Sequence, residues 1–165
     1  MNVGDIMTRE VVSVAPETPV AAIAKLLYQY KISGVPVVRD GKIMGIVTEE
    51  DLIMRDAIIK EPHVISILDS VFYLGNKREF DEEMRHHLAT TAAELMTDSV
   101  HTVPESATVE QLASLMIKHE INPVPVVNSV GHLSGIVSRA DLVRLMVLEN
   151  DDGISLEGAE SETTT

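Results

Sequence analysis

The sequence has no cysteine among its 165 residues. That excludes disulfides, thiolate metal sites and a cysteine nucleophile. Basic residues are few: 13 Lys and Arg stand against 26 Asp and Glu, a formal net charge of −13. Nucleic-acid binding through phosphate neutralisation needs clustered Lys and Arg, so it is not expected. The same deficit argues against docking to an anionic membrane. No apolar run approaches the roughly 18 residues of a membrane-spanning helix. The opening stretch, MNVGDIMTREVV, has no basic region leading into an apolar one, so no export signal is expected. Aromatic residues are scarce, three Tyr and two Phe. What remains is an ordinary globular composition, 45% hydrophobic and 24% charged. The expectation is a cytoplasmic chain forming one domain, or two small halves that share a core.

The chain repeats itself. Ile6-Met7-Thr8 lies over Leu95-Met96-Thr97 at an offset of 89. In the same register Val14 falls on Val103, Val20 on Val109, Leu26 on Leu115 and Ile32 on Ile121, and Val35-Pro36-Val37-Val38 falls on Val124-Pro125-Val126-Val127. One extra residue then shifts the offset to 90, where Gly45-Ile46-Val47 meets Gly135-Ile136-Val137 and Asp51-Leu52 meets Asp141-Leu142. Such agreement marks an internal duplication.

Each copy reads as β-α-β-β-α. A short extended stretch (Val11–Val14; Val100–Val103) precedes a helix whose apolar face is Val20, Ile23, Leu27 and Tyr30 in the first copy and Val109, Leu112 and Met116 in the second. Two β-branched runs follow, Val35–Val38 and Ile43–Val47, joined through Asp40-Gly41, a hairpin signal. Their counterparts are Val124–Val127 and Leu133–Val137. A second helix starts near Glu49 or Asp51 and runs through Met54, matched by Ala140 to about Leu148. Residues 2–54 and 91–148 thus form the copies, and neither alone buries enough apolar area to be comfortably stable. Residues 55–90 form an insert, expected to be helical from Val64 to Leu88. It holds Phe72, Tyr73 and Phe80, which either cover the module's own core or contact a partner. The tail from 149 to 165 carries six acidic residues and no Lys or Arg, and is expected to be disordered.

Two corners carry candidate chemistry: Gly45-Ile46-Val47-Thr48-Glu49-Glu50-Asp51 and Gly135-Ile136-Val137-Ser138-Arg139-Ala140-Asp141. Each puts a hydroxyl residue at a strand end and an Asp in the first turn of the following helix. One role is local capping, with Thr48 and Ser138 accepting from the first free N–H groups. The other is to grip a vicinal diol such as a ribose, which offers two hydroxyls to one fixed carboxylate. Other signals are weaker. His86 and His87 are adjacent, so they point to different helix faces and make a poor metal pair; no metal site is expected. There is no glycine-rich phosphate loop, no Gly-x-Ser-x-Gly and no dinucleotide fingerprint, and no general base beside an activated nucleophile. The chain is not expected to be an enzyme.

The ordered set of Ile-Met-Thr or Leu-Met-Thr, Val-Pro-Val-Val and Gly-Ile-Val-Thr/Ser-x-x-Asp, present twice, resembles a tandem pair of CBS domains, a Bateman module. The resemblance implies an α/β (α+β) fold in which two pseudo-twofold repeats pack through their sheets, and a regulatory module. It also implies two clefts for adenosine compounds such as AMP, ADP, ATP or S-adenosylmethionine, with no obligatory cofactor, and pairing into a homodimer. Site A would combine Thr18, Ile23, Ile32, Ser33 and Gly34 with Ile136, Ser138, Arg139 and Asp141, Asp141 holding the ribose. Thr18 is also a ready helix cap before Pro19. Site B would combine Ala107, Leu112, Ile121, Asn122 and Pro123 with Ile46, Thr48, Glu49 and Asp51. Arg139 and Ala140 in site A correspond to Glu49 and Glu50 in site B, so site A is the expected nucleotide site and site B the weaker one. The expected function is an adenosine-ligand sensor that signals to a separate partner protein. The alternative is a constitutive interaction module with vestigial clefts.

Overall fold

The structure is a computed structural model that describes residues 1–56, 63–67, 70–74 and 89–150. The elements run α1 (Val3–Ile6), α2 (Val20–Tyr30), β1 (Gly34–Arg39), β2 (Lys42–Thr48), α3 (Glu49–Asp56), β3 (His63–Ile67), β4 (Ser70–Leu74), α4 (Ala92–Leu95), β5 (Val103–Pro104), α5 (Val109–His119), β6 (Val124–Val127), β7 (Leu133–Val137) and α6 (Arg139–Asn150).

The duplication is structural as well as sequential. The hairpin β1–β2 turns through Asp40 and Gly41, both at positive φ (52° and 77°), the two-residue turn that matches the twist of its flanking strands. Its ladder slips between Val37 and Val38, and the β6–β7 ladder slips at the equivalent step, between Val126 and Val127. A parallel strand flanks each hairpin, reduced to one bridge (Val14 with Val37) in the first repeat and drawn out into β5 beside β6 in the second. Helices α2 and α5 bury Ile23 and Leu112, equivalent residues with no exposed surface. Tyr30, placed by spacing on the buried face of α2, is exposed at the last position of the helix, and the buried face ends at Leu27. Thr18 is not the cap of α2. The cap position is Pro19, and the Thr18 carbonyl instead accepts from the Ala92 N–H at 2.8 Å.

The two repeats exchange their N-terminal segments. Helix α1 lies on the second repeat, where the Val3 and Gly4 N–H groups donate to the carbonyls of Ala107 and Glu105. Helix α4 lies on the first, where Ala92 and Ala93 donate to Thr18 and Pro16, the same two contacts displaced by 89 residues. One core accordingly joins Val20, Ile23, Val35 and Val47 to Ala92 and Leu95, and the other joins Leu112, Met116, Val124 and Val137 to Val3 and Met7. The repeated motifs meet across this exchange. Thr8 pairs with Ile136 and Thr97 with Ile46 through paired backbone hydrogen bonds of 3.0 Å. A Cβ at Gly135 would lie 2.3 Å from the Met7 sulfur, and one at Gly45 would lie 2.3 Å from that of Met96. Only glycine admits the methionine there, which explains why Ile-Met-Thr and Gly-Ile-Val recur together.

The insert departs from expectation. Where the spacing predicts a helix from Val64, β3 and β4 form an antiparallel pair with Ile65 opposite Phe72. Val64, Ile65, Ile67, Val71, Phe72 and Tyr73 are β-branched or aromatic types that fit a pleated strand better than a helix, and that preference outweighs the helical spacing. Phe80, Met84, His86, His87, Leu88 and the tail from 151 lie outside the described residues. Among the described residues, no helix is long and apolar enough to cross a membrane.

Candidate functional site

Two clefts open between the repeats. The larger, about 490 Å³, is lined by residues 8 and 10–12, by Lys31 to Gly34, and by Ile136, Ser138, Ala140 and Asp141. The smaller, about 300 Å³, is lined by the equivalent set: Thr97, Ser99 to His101, Glu120, Ile121, Ile46, Thr48 and Glu50. Both volumes fall in the range of small-molecule sites. Ser33, Glu49, Asn122 and Pro123 border both clefts. This partition is tied together by Asn122, whose amide donates to Ser33 Oγ at 3.2 Å and accepts from the Arg139 N–H at 2.8 Å.

The Asp corners are built alike but end differently. At Asp141, Oδ2 accepts from the Ser138 N–H and from Ser138 Oγ, both at 2.8 Å. At Asp51, Oδ2 accepts from the Thr48 N–H at 2.7 Å and from Thr48 Oγ1 at 2.9 Å. Each Asp is the third helical residue and reaches back to the cap, the carboxylate half of a capping box. The hydroxyls therefore donate to the Asp; only Thr48 Oγ1 also accepts, from the Asp51 N–H at a long 3.4 Å. Arg144 at the surface adds a contact of 3.1 Å to Asp141 Oδ1. Asp141 faces the larger cleft, whereas Asp51 is 8% exposed and does not line the smaller one.

Six of the residues expected in site A line the larger cleft: Ile32, Ser33, Gly34, Ile136, Ser138 and Asp141. Three do not. Ile23 is fully buried in the first core, Thr18 is turned to α4 through its backbone, and Arg139 lines the smaller cleft instead. Two positions along a helix is a rotation of about 200°, which turns Arg139 away from Asp141 and toward the smaller cleft. Of site B, Ile46, Thr48, Glu49, Ile121, Asn122 and Pro123 line the smaller cleft, while Ala107 and Leu112 belong to the second core and Asp51 is buried. The expected separation by charge also fails. Arg139 sits with Glu49, Glu50 and Glu120 in the smaller cleft, and Lys31 sits with Glu10, Glu49 and Asp141 in the larger. The wall segments 8–12 and 97–101 were not anticipated from the residues. The signal for them was the repeated Met-Thr itself, which each time hydrogen-bonds to the strand beneath a cleft. Gly34 is held there by close approach, since a Cβ would lie 2.8 Å from Pro123 Cδ.

The sequence pattern of the CBS domain matches residues 3–57 and 92–148. The chain belongs to the CBS domain family. MJ1426 of Methanocaldococcus jannaschii is 31% identical to this CBS pair over 155 residues, spanning 89% of this chain and 92% of that protein. The chloroplastic CBS domain-containing protein CBSX2 of Arabidopsis thaliana is 30% identical over 150 residues, 87% of this chain and 62% of that one. The crystal structure of CBSX2 in complex with AMP superposes with a TM-score of 0.74 at 27% identity, covering 90% of this chain and 97% of the other. The CBS domain pair of MJ0100, in complex with 5′-methylthioadenosine and S-adenosyl-L-methionine, gives a TM-score of 0.66 at 25% identity, covering 90% and 98%. The α/β architecture of two pseudo-twofold CBS repeats is thus the fold of this chain.

Proposed function

We propose that this CBS pair is a regulatory module that takes an adenosine-bearing ligand in its larger cleft and passes the effect to a separate protein. The observation that carries the reading is the Asp141 corner. Its carboxylate is held by Ser138 on the wall of a cleft whose other surfaces are Val11, Val12, Ile32 and Ile136 on the apolar side and Ser33 and Gly34 on the polar side. A fixed carboxylate suits a vicinal diol, and β-branched walls suit a purine face. The AMP complex of CBSX2 and the methylthioadenosine and S-adenosylmethionine complexes of MJ0100 support the adenosine class. No step of chemistry is assigned to the site. A ligand there touches both repeats and so biases their relative arrangement, with a coupling to any partner that typically amounts to about 1–3 kcal/mol.

Calorimetry with AMP, ATP and S-adenosylmethionine on the wild type and on Asp141→Asn tests this. At least one ligand is expected to bind below millimolar. The substitution should weaken it by about ten- to a hundredfold, the worth of one hydrogen bond to a charged group. Absence of binding by all three, or an Asp141→Asn variant that folds and binds like the wild type, overturns the reading.

A second reading, pairing into a homodimer, is supported by apolar residues at twofold-equivalent surface positions. Ile53 on α3 and Val143 on α6 are exposed, and Val147 and Leu148 extend the α6 face. Light scattering on the wild type and on Val143→Glu tests it. A dimer that the substitution converts to monomer supports pairing through these helices.

A further inference from the structure

We infer that Glu49 is a shared specificity determinant that disfavours an anionic 5′ group on a ligand in either cleft; this rests on the adenosine reading above. Of the four residues that border both clefts, Ser33, Glu49, Asn122 and Pro123, Glu49 alone is charged. Its N–H donates to the Ser33 carbonyl at 2.9 Å, which pins the backbone at the partition while the side chain stays exposed. It opens helix α3, whose first turn holds Glu49, Glu50 and Asp51. A helix N-terminus ordinarily attracts an anion. Here the chain's own carboxylates already answer that positive end. Helix α6 begins instead with Arg139 and Ala140 before Asp141, so the twofold-equivalent position carries the opposite charge.

The cations do not offset this. Among the described residues each cleft receives one Lys or Arg, Lys31 in the larger and Arg139 in the smaller, and each faces further carboxylates: Glu10 and Asp141 in the first, Glu50 and Glu120 in the second. A phosphate entering either cleft meets Glu49 as a like charge on the cleft border. A neutral thioether or a sulfonium at the same place meets no such penalty. The chain therefore ranks adenosine ligands by 5′ charge: sulfonium or neutral ahead of monophosphate, and monophosphate ahead of triphosphate.

AMP and 5′-methylthioadenosine form a matched pair of probes, alike in base and ribose and different in the 5′ group. Isothermal titration of the full chain with each gives an affinity ratio at each binding step. Glu49→Gln is expected to shift that ratio toward AMP by roughly two- to fivefold at both steps, as for loss of one solvent-exposed like charge. Glu50→Gln, altering a residue of the smaller cleft only, should shift it at one step. A ratio unmoved by Glu49→Gln, moved at one step only, or a single-step isotherm overturns the shared role while the adenosine reading stands. If the wild type binds neither probe, the adenosine reading fails and this inference falls with it.

Discussion

The two clefts share one backbone plan and differ in nearly every charged side chain. Lys31 of the larger corresponds to Glu120 of the smaller, Glu10 to Ser99, and Val12 to His101, while Glu49 corresponds to Arg139. The hydroxyl–Asp corner is duplicated down to its hydrogen-bond lengths, yet one Asp faces its cleft and the other is buried. Duplication supplies the cavity, and substitution on that scaffold decides what the cavity accepts. Scaffold and lining can therefore be perturbed separately.

The largest effects fall on the scaffold. Ile23→Ala and Leu112→Ala remove equivalent, fully buried side chains and should each cost about 2–5 kcal/mol by transfer and cavity terms together. Because α1 and α4 are exchanged, each core contains residues of both repeats, and urea unfolding of either variant should remain a single transition. Two separated transitions would show that the repeats fold independently and that the exchange contributes little.

Next comes the methionine–glycine contact. Gly135→Ala should cost about 1–3 kcal/mol by overpacking against Met7. In a Met7→Ala background, where the space is vacated, Gly135→Ala should cost clearly less, and the pair Gly45 and Met96 should behave alike. A double-mutant cycle that comes out additive would show that the two residues do not share the space assigned to them.

The Asp corners should then separate structure from binding. Asp51→Ala removes a buried acceptor from the Thr48 N–H and hydroxyl and should destabilise by about 1–2 kcal/mol without touching the larger cleft. Asp141→Ala should cost less, about 0.5–1 kcal/mol for a more exposed cap, yet weaken a ligand of the larger cleft. Thermal unfolding and titration on both variants check the crossover. Equal effects in both assays would erase the distinction between the corners.

Much of this plan was legible from residues. Asp40-Gly41 fixed the first hairpin, Ile23 and Leu112 marked the buried helix faces, and the Thr/Ser-x-x-Asp spacing marked the corners, because each depends on local geometry that sequence spacing encodes. The exchange of α1 and α4 was not legible, since a periodic pattern does not say which copy a segment packs against. Arg139, expected beside Asp141, lines the smaller cleft, because its place along α6 is not readable as a direction from sequence adjacency alone. In the described part of the insert, spacing alone suits a helix, whereas side-chain branching favours β3 and β4.

The smallest expected effect concerns α4, the segment lent to the first repeat. Glu94 accepts from the Thr90 N–H at 2.7 Å and the Thr90 hydroxyl at 3.0 Å, closing the turn that starts the helix. Those bonds, led by the Thr90 backbone N–H, hold its pKa below the ordinary 4.5. A carboxyl lowered in the folded state stabilises the fold above its ordinary range, and that stabilisation is lost as pH falls through the lowered value. Glu94→Gln removes the titration, so the wild type should lead the variant slightly at neutral pH and the gap should close in acid. Glu94 is fully exposed and solvent screens it, so the lead is small. Melting temperatures of the two proteins across an acid series check the sign. A gap that widens as pH falls would mean that the Thr90 contacts do not favour the ionised form.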